Sequence, residues 1–203
     1  MRMTASSYGY TLRSAVSNSN FNVNNISSWN HSTPSRLVTW VESHDTYCNK
    51  GDSTGMTDEQ IRLAWAVIAA RKDGTPLFFS RPDGSNGWSN RWGNNVLGAK
   101  GNDQFKSKEV KEVNFFRNAM AGKSEYLRNP NGDQKILQID RGNEGTVIIN
   151  LNSSEQTINS DTKMKDCTYT DQVSGRTFTV SNGKISGKLD ARKVAVIYNK
   201  TSS

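Results

Sequence analysis

The segment Trp40-Val41-Glu42-Ser43-His44-Asp45-Thr46 places a carboxylate beside an imidazole. An ionised Asp45 can offset positive charge that develops on a reacting group, and His44 can exchange hydrogen bonds with polar oxygens. Both follow the short run Leu37-Val38-Thr39-Trp40-Val41. That run is apolar, β-branched and aromatic, and it reads as a buried strand of a parallel sheet. Glu42 points opposite Val41 on an alternating strand, so it does not extend the pair. The same dipeptide also serves as a plain loop pair capping the next segment. The elements around it must decide between the two roles.

Those elements alternate over the first 123 residues. Ser6 to Val16 reads as a helix, and the Asn/Ser-rich stretch 17–35 as a loop. After the strand at Leu37–Val41, Thr57-Asp58-Glu59-Gln60 fits a capping box. Ile61, Ala64, Trp65 and Ile68 then form one apolar helical face. Gly74 and Pro76 end that helix, and Leu77-Phe78-Phe79 is predicted to be a second buried strand. A Gly/Asn-rich loop carries Trp88 and Trp92. A helix follows over 107–121, with Val110, Val113, Phe116 and Met120 inward. The order strand–helix–strand–helix fits consecutive βα units. In a (β/α)8 barrel, functional groups sit at the C-terminal ends of strands, which is where His44 and Asp45 fall. From Lys135 onward only short strand-like runs recur, with an Asn182-Gly183 hairpin signal among them. Six to eight strands in about 75 residues predict a small antiparallel β-sandwich.

Composition bounds the rest. The chain has 203 residues, 33% hydrophobic and 22% charged, and a formal net charge of +7. A complete barrel alone needs ~250 residues, so barrel plus sandwich does not fit. The 26 basic residues are scattered and do not interleave with aromatics, so no nucleic-acid partner is expected. No apolar run approaches ~18 residues, so no membrane partner is expected either. Cys48 and Cys167 have no metal-site spacing; free thiols are expected, with one long-range disulfide left open. The N-terminal residues 1–6 lack the apolar core of a signal peptide.

The run Leu37–Asp45 resembles the seventh-strand motif of α-amylases, glycoside hydrolases of the (β/α)8 class. The resemblance continues through Asp58–Ala70, Thr75–Pro82, Phe116–Gly122, Asn129-Pro-Asn-Gly132 and Ala191–Tyr198, in order, and is nearest to the Bacillus-type members. Met3–Ala15 resembles the sixth strand and helix. The resemblance implies α/β followed by all-β. Residues 1–123 would be about units 6–8 of the barrel, and 124–203 the C-terminal antiparallel β-sandwich domain. It implies endo-hydrolysis of α-1,4-glucosidic bonds in starch, with retention. Asp45 would stabilise the transition state and His44 would bind the sugar, while Asn49 and Arg81 would line the cleft. Trp88 and Trp92 either stack on glucose rings or pack their loop; Trp88 is taken as substrate-binding. The family's nucleophile and acid motifs, Arg-x-Asp and Gly-Glu, do not occur before Leu37. The chain thus reads as a fragment, inactive alone, without a cofactor. The calcium site and the partner barrel units would belong to the missing N-terminal part. Starch or maltooligosaccharide is the expected partner and secretion the expected location. The alternative is a non-catalytic glucan-binding module.

Overall fold

The computed structural model describes residues 2–94 and 96–200. A three-stranded parallel sheet opens the chain, in the order β1 (Met3–Thr4), β2 (Leu37–Thr39), β3 (Thr75–Pro76). Helix α1 (Ser6–Ser17) and a short α2 (Val23–Ile26) connect β1 to β2, and α3 (Asp58–Ala70) connects β2 to β3. The stretch 17–35, read as loop, therefore contains one helical turn; its Asn22 side chain caps α2 by accepting from the Asn24 N–H. The Thr57–Gln60 capping box is formed as its spacing requires. Helix α4 (Lys108–Ala119) packs against α3.

Eight further strands follow: β4 (Glu125–Arg128), β5 (Ile136–Arg141), β6 (Gly145–Asn150), β7 (Gln156–Asp161), β8 (Cys167–Thr170), β9 (Thr177–Ser181), β10 (Lys184–Leu189) and β11 (Lys193–Tyr198). They form two antiparallel sheets, β11-β6-β5-β4 and β7-β10-β9-β8. Asn182 and Gly183 both take positive φ, 52° and 73°, in the β9–β10 turn, as a two-residue hairpin demands.

Strands β5 and β6 are buried on both faces, and their alternation shows why. Leu137, Ile139, Val147 and Ile149 face the helices and join the core of α1, α3 and α4. Ile136 and Ile148 face the second sheet and join Ile158, Phe178 and Ile185. Gly145 permits the close approach of α4: a Cβ there would stand 2.6 Å from the Phe116 ring. Phe116 in turn meets Tyr198 edge-on, with centroids 5.5 Å apart.

The expected buried strand at Leu77-Phe78-Phe79 is corrected. The ladder runs over Thr75–Pro76, and Leu77 is 56% exposed. Phe78 turns toward α3 and packs on Trp65 at 5.1 Å. Leu77 turns to the face opposite the helices. Strands β1 and β3 each pair only with β2 among the described residues, so both edges of this sheet are open.

Two arginines close the C-terminal end of α3, and a third, Arg71, follows it directly. Arg117 donates to the carbonyls of Ile68, Ala69, Arg71 and Gly74. Arg141 donates to Ala70 O at 3.0 Å and to Met120 O at 2.8 Å. The last carbonyls of a helix have no partner within it, and these guanidiniums supply one. Arg71 itself is buried. It binds both carboxylate oxygens of Glu125, the Tyr8 hydroxyl at 2.7 Å and Ile26 O at 2.8 Å, and stacks on Trp29 at 4.1 Å. Burial pushes the Tyr8 hydroxyl up to about 12. Burial also acts to raise Glu125, but the hydrogen bonds and charge of Arg71 outweigh it and hold the carboxyl below its ordinary value.

A carboxyl whose pKa is depressed by folding stabilises the protein above its unfolded pKa, and that stability is lost as pH falls through the folded value. Glu125→Gln is therefore expected to cost about 3 kcal/mol at neutral pH, since it leaves Arg71 buried and uncompensated. It should also flatten the loss of stability on acidification below the ordinary glutamate range. Burial raises the Glu42 carboxyl, which tilts the same window the other way; comparing variant with parent cancels it. Urea titrations at several acid pH values read this directly. Equal acid slopes in parent and variant would refute the assignment.

Candidate functional site

The chain leaves β2 and, six residues after its last paired position at Thr39, enters a π-helical turn over Asp45–Asn49. The Lys50 N–H donates to Asp45 O at 2.7 Å, the i to i+5 bond that defines the turn. The wider turn puts Thr46, Tyr47 and Cys48 inside and leaves Asp45 and Asn49 outside. Ser43 and Thr46 lock its start: the Ser43 N–H donates to Thr46 Oγ1 at 2.9 Å. Ser53 Oγ donates to the same oxygen at 3.1 Å, and the Thr54 hydroxyl donates to Tyr47 O.

On the exposed side three of the expected residues come together. Asn49 Nδ2 donates to Asp45 Oδ1 at 2.7 Å, and His44 Nε2 lies 3.6 Å from the same oxygen. The side chains of His44 and Asp45 are 75% and 53% exposed. One carboxylate oxygen is thus oriented by an amide, while the side chain as a whole stays half exposed. Such an arrangement can bind hydroxyls or face a developing cation.

Arg81 is placed differently. It is buried and lines no open surface. Its Nε and Nη2 clamp Glu42 at 2.8 and 3.0 Å, and the remaining bonds go to Met56 O and Ser53 O. Its guanidinium lies 4.4 Å from the Tyr47 ring. An arginine that close to an unpaired buried carboxylate is drawn to it, because each ion alone would be costly inside. Glu42 and Arg81 thus form the floor beneath the turn. The sequence carried that pairing only as a glutamate turned opposite Val41.

Trp88 is 65% exposed and rests on a notch made by two glycines. A Cβ on Gly51 would stand 2.4 Å from its ring, and one on Gly55 would stand 3.1 Å from Nε1. Gly51 has φ +88°, a conformation that favours glycine. The Tyr47 hydroxyl accepts from the Gly87 N–H at 3.2 Å, tying the Trp88 loop to the π turn. The Gly51-x-x-x-Gly55 spacing was the signal for this seat. Trp92, on the same loop, is 45% exposed.

Cys48 is buried, Cys167 is exposed, and both are free thiols. Among the described residues no three His, Cys, Asp or Glu side chains gather as metal ligands, so none is assigned to calcium. No helix among them is long and apolar enough to cross a membrane.

No family model matches the sequence. An α-amylase of Butyrivibrio fibrisolvens is 41% identical over 216 residues, covering 97% of this chain and 22% of its own length. An α-amylase of Clostridium acetobutylicum is 34% identical, covering 100% of this chain and 25% of its own length. The chain thus spans about a quarter of the curated relatives it matches. Among solved structures, wild-type α-amylase I of Eisenia fetida superposes with a TM-score of 0.76 at 16% identity, over 98% of this chain and 49% of its own. The E249Q mutant of that enzyme, solved as a maltohexaose complex, gives 0.74 at 17% identity, over 98% of this chain and 49% of its own. An Anoxybacillus α-amylase gives 0.63 at 13% identity, over 97% of this chain and 47% of its own. By sequence, and with a matching fold, the chain is a relative of one portion of the α-amylases, a glycoside hydrolase family.

Proposed function

We propose that residues 1–203 supply one wall of an α-glucan cleft in an α-amylase that hydrolyses internal α-1,4 bonds of starch with retention. In this reading 1–123 form about units 6–8 of a (β/α)8 barrel and 124–203 the C-terminal β-sandwich domain. The observation that carries it is the exposed His44–Asp45–Asn49 cluster on a π turn following β2. It coincides with the strand-end position where barrel enzymes hold their chemistry.

Asp45 is the group that faces the oxocarbenium-like sugar ring. Its negative charge offsets the positive charge that grows on the ring oxygen and anomeric carbon. Asn49 fixes the carboxylate rotamer by holding Oδ1. His44 donates to a sugar hydroxyl at the cleavage point. Retaining hydrolysis also needs a nucleophilic carboxylate and an acid/base carboxyl ~5–5.5 Å apart. The family motifs for those two do not occur before Leu37. These residues on their own are therefore expected to show no turnover in a reducing-sugar assay on soluble starch. Clear hydrolysis by the purified 203-residue chain would overturn this part.

The exposure of Trp88 above its glycine notch favours a second reading, a glucan-binding module without catalysis. Retention in starch-containing gels that is lost in Trp88→Ala would support it; a cleft wall alone should be retained little. The notch has its own consequence. Gly51→Ala forces a Cβ into the ring and a side chain into positive φ, and should cost more than about 1 kcal/mol. Its tryptophan emission should shift, and the shift should vanish in a Trp88→Phe background. An emission shift that survives Trp88→Phe would mean that Trp88 does not rest on Gly51.

A further inference from the structure

The second half of α1, the loop after it and α2 enclose a groove of about 510 Å³ that the reading above does not use. This size is ordinary for a small-ligand site. Its lining is chemically narrow. Five asparagines, two serines and a threonine surround it, with Tyr10 at the rim. Among the described residues no carboxylate, amine, guanidinium or imidazole lines it, although the chain carries 26 Lys and Arg. Such a surface offers no opposite charge to an anion or a cation, only neutral donors and acceptors.

Part of its hydrogen-bonding capacity is open and its walls are fixed by local bonds, such as those of Asn18 to Ser14 O and of Ser28 to Asn30. Two successive side-chain-to-backbone turns set the wall: Asn20 accepts from the Asn22 N–H at 2.9 Å, and Asn22 accepts from the Asn24 N–H at 3.0 Å. Among the described residues no hydrogen bond engages the side-chain amides of Asn24 or Asn25. Ile26 forms the floor, and its carbonyl is pinned by the Tyr8 hydroxyl and by Arg71, each at 2.8 Å. Tyr10 is 66% exposed. Each amide offers a donor beside an acceptor, the pattern that matches neighbouring hydroxyls, and an exposed aromatic ring suits the apolar face of a pyranose.

We propose that this groove is a second carbohydrate site, for a neutral oligosaccharide, separate from the Asp45 cluster. The chain passes from the groove into the start of β2 and reaches Asp45 only beyond its far end. The two sites therefore sit toward opposite ends of that strand. The choice of an α-glucan as ligand rests on the proposed function; the neutral polyhydroxyl class rests on the lining alone.

Maltohexaose is titrated calorimetrically into the 203-residue chain and four variants. Tyr10→Ala and Asn25→Ala are each expected to weaken binding about five-fold or more. Both side chains are exposed, so melting temperatures should hold. Raising the salt concentration should leave the affinity unchanged, because no ion pair is formed. In Trp88→Ala and Asp45→Asn backgrounds, which remove contacts of the separate Asp45 cleft, the groove variants should still weaken the remaining binding. No maltohexaose binding, or binding unaffected by both groove variants, overturns the proposal. If Trp88→Ala alone weakens binding, the groove reading falls and the Trp88 platform stands. If only the groove variants weaken it, the groove stands and the platform loses its support.

Discussion

The last carbonyls of α3 have no partners inside their own helix, and arginines from α4 and β5 take them. Everything else in the chain hangs from that junction. Arg117 comes from the neighbouring helix and Arg141 from the central antiparallel sheet, so closing one helix end docks two other layers. Burial lowers the pKa of both guanidiniums, the cost of keeping charge away from water. Their many carbonyl acceptors offset it. Arg71, the next residue along, carries the same junction to α1, α2 and β4 through Tyr8, Ile26 and Glu125. Strands β5 and β6 of the sheet β11-β6-β5-β4 are consequently buried on both faces, and the helices share one core with them.

This rigid base positions two surfaces of different character. At one end of β2 the Glu42–Arg81 pair and the Tyr47 ring lie under the π turn and present Asp45, Asn49 and His44 outward. At the other end, Arg71 pins the floor of a neutral, asparagine-lined groove. Neither surface makes use of the net charge of +7. Elsewhere basic residues meet carboxylates, as in Arg62–Glu109 and Arg176–Glu155.

Much of this was legible in the residues. The Thr57–Gln60 box, the Ile61–Ile68 face and the Asn182-Gly183 turn are local rules, and each formed as its chemistry requires. The Leu37–Thr39 strand showed in its β-branched run. The failures have separate causes. Arg81 looked like a loop-end residue free to meet a ligand, yet Glu42, 39 positions away, captures it. Leu77-Phe78-Phe79 read as buried because all three are apolar, but alternation sends Leu77 to the face without helices. The arginine junction was invisible because its acceptors are backbone carbonyls, which every sequence has. The grouping of His44, Asp45 and Asn49 was expected from resemblance, and its geometry depends on a π turn that spacing does not announce.

The central claim is that Asp45, held by Asn49 at the end of β2, acts on the reacting sugar. It is tested most directly by grafting residues 1–203 in place of the matching portion of the Butyrivibrio fibrisolvens α-amylase and measuring kcat and KM on starch, with Asp45 intact and as Asp45→Asn. The account predicts an active chimera whose kcat falls by at least ~10²-fold in the variant, the size expected when a group stabilising transition-state charge is lost, with KM little changed. A chimera that hydrolyses starch equally well with Asp45→Asn would contradict it.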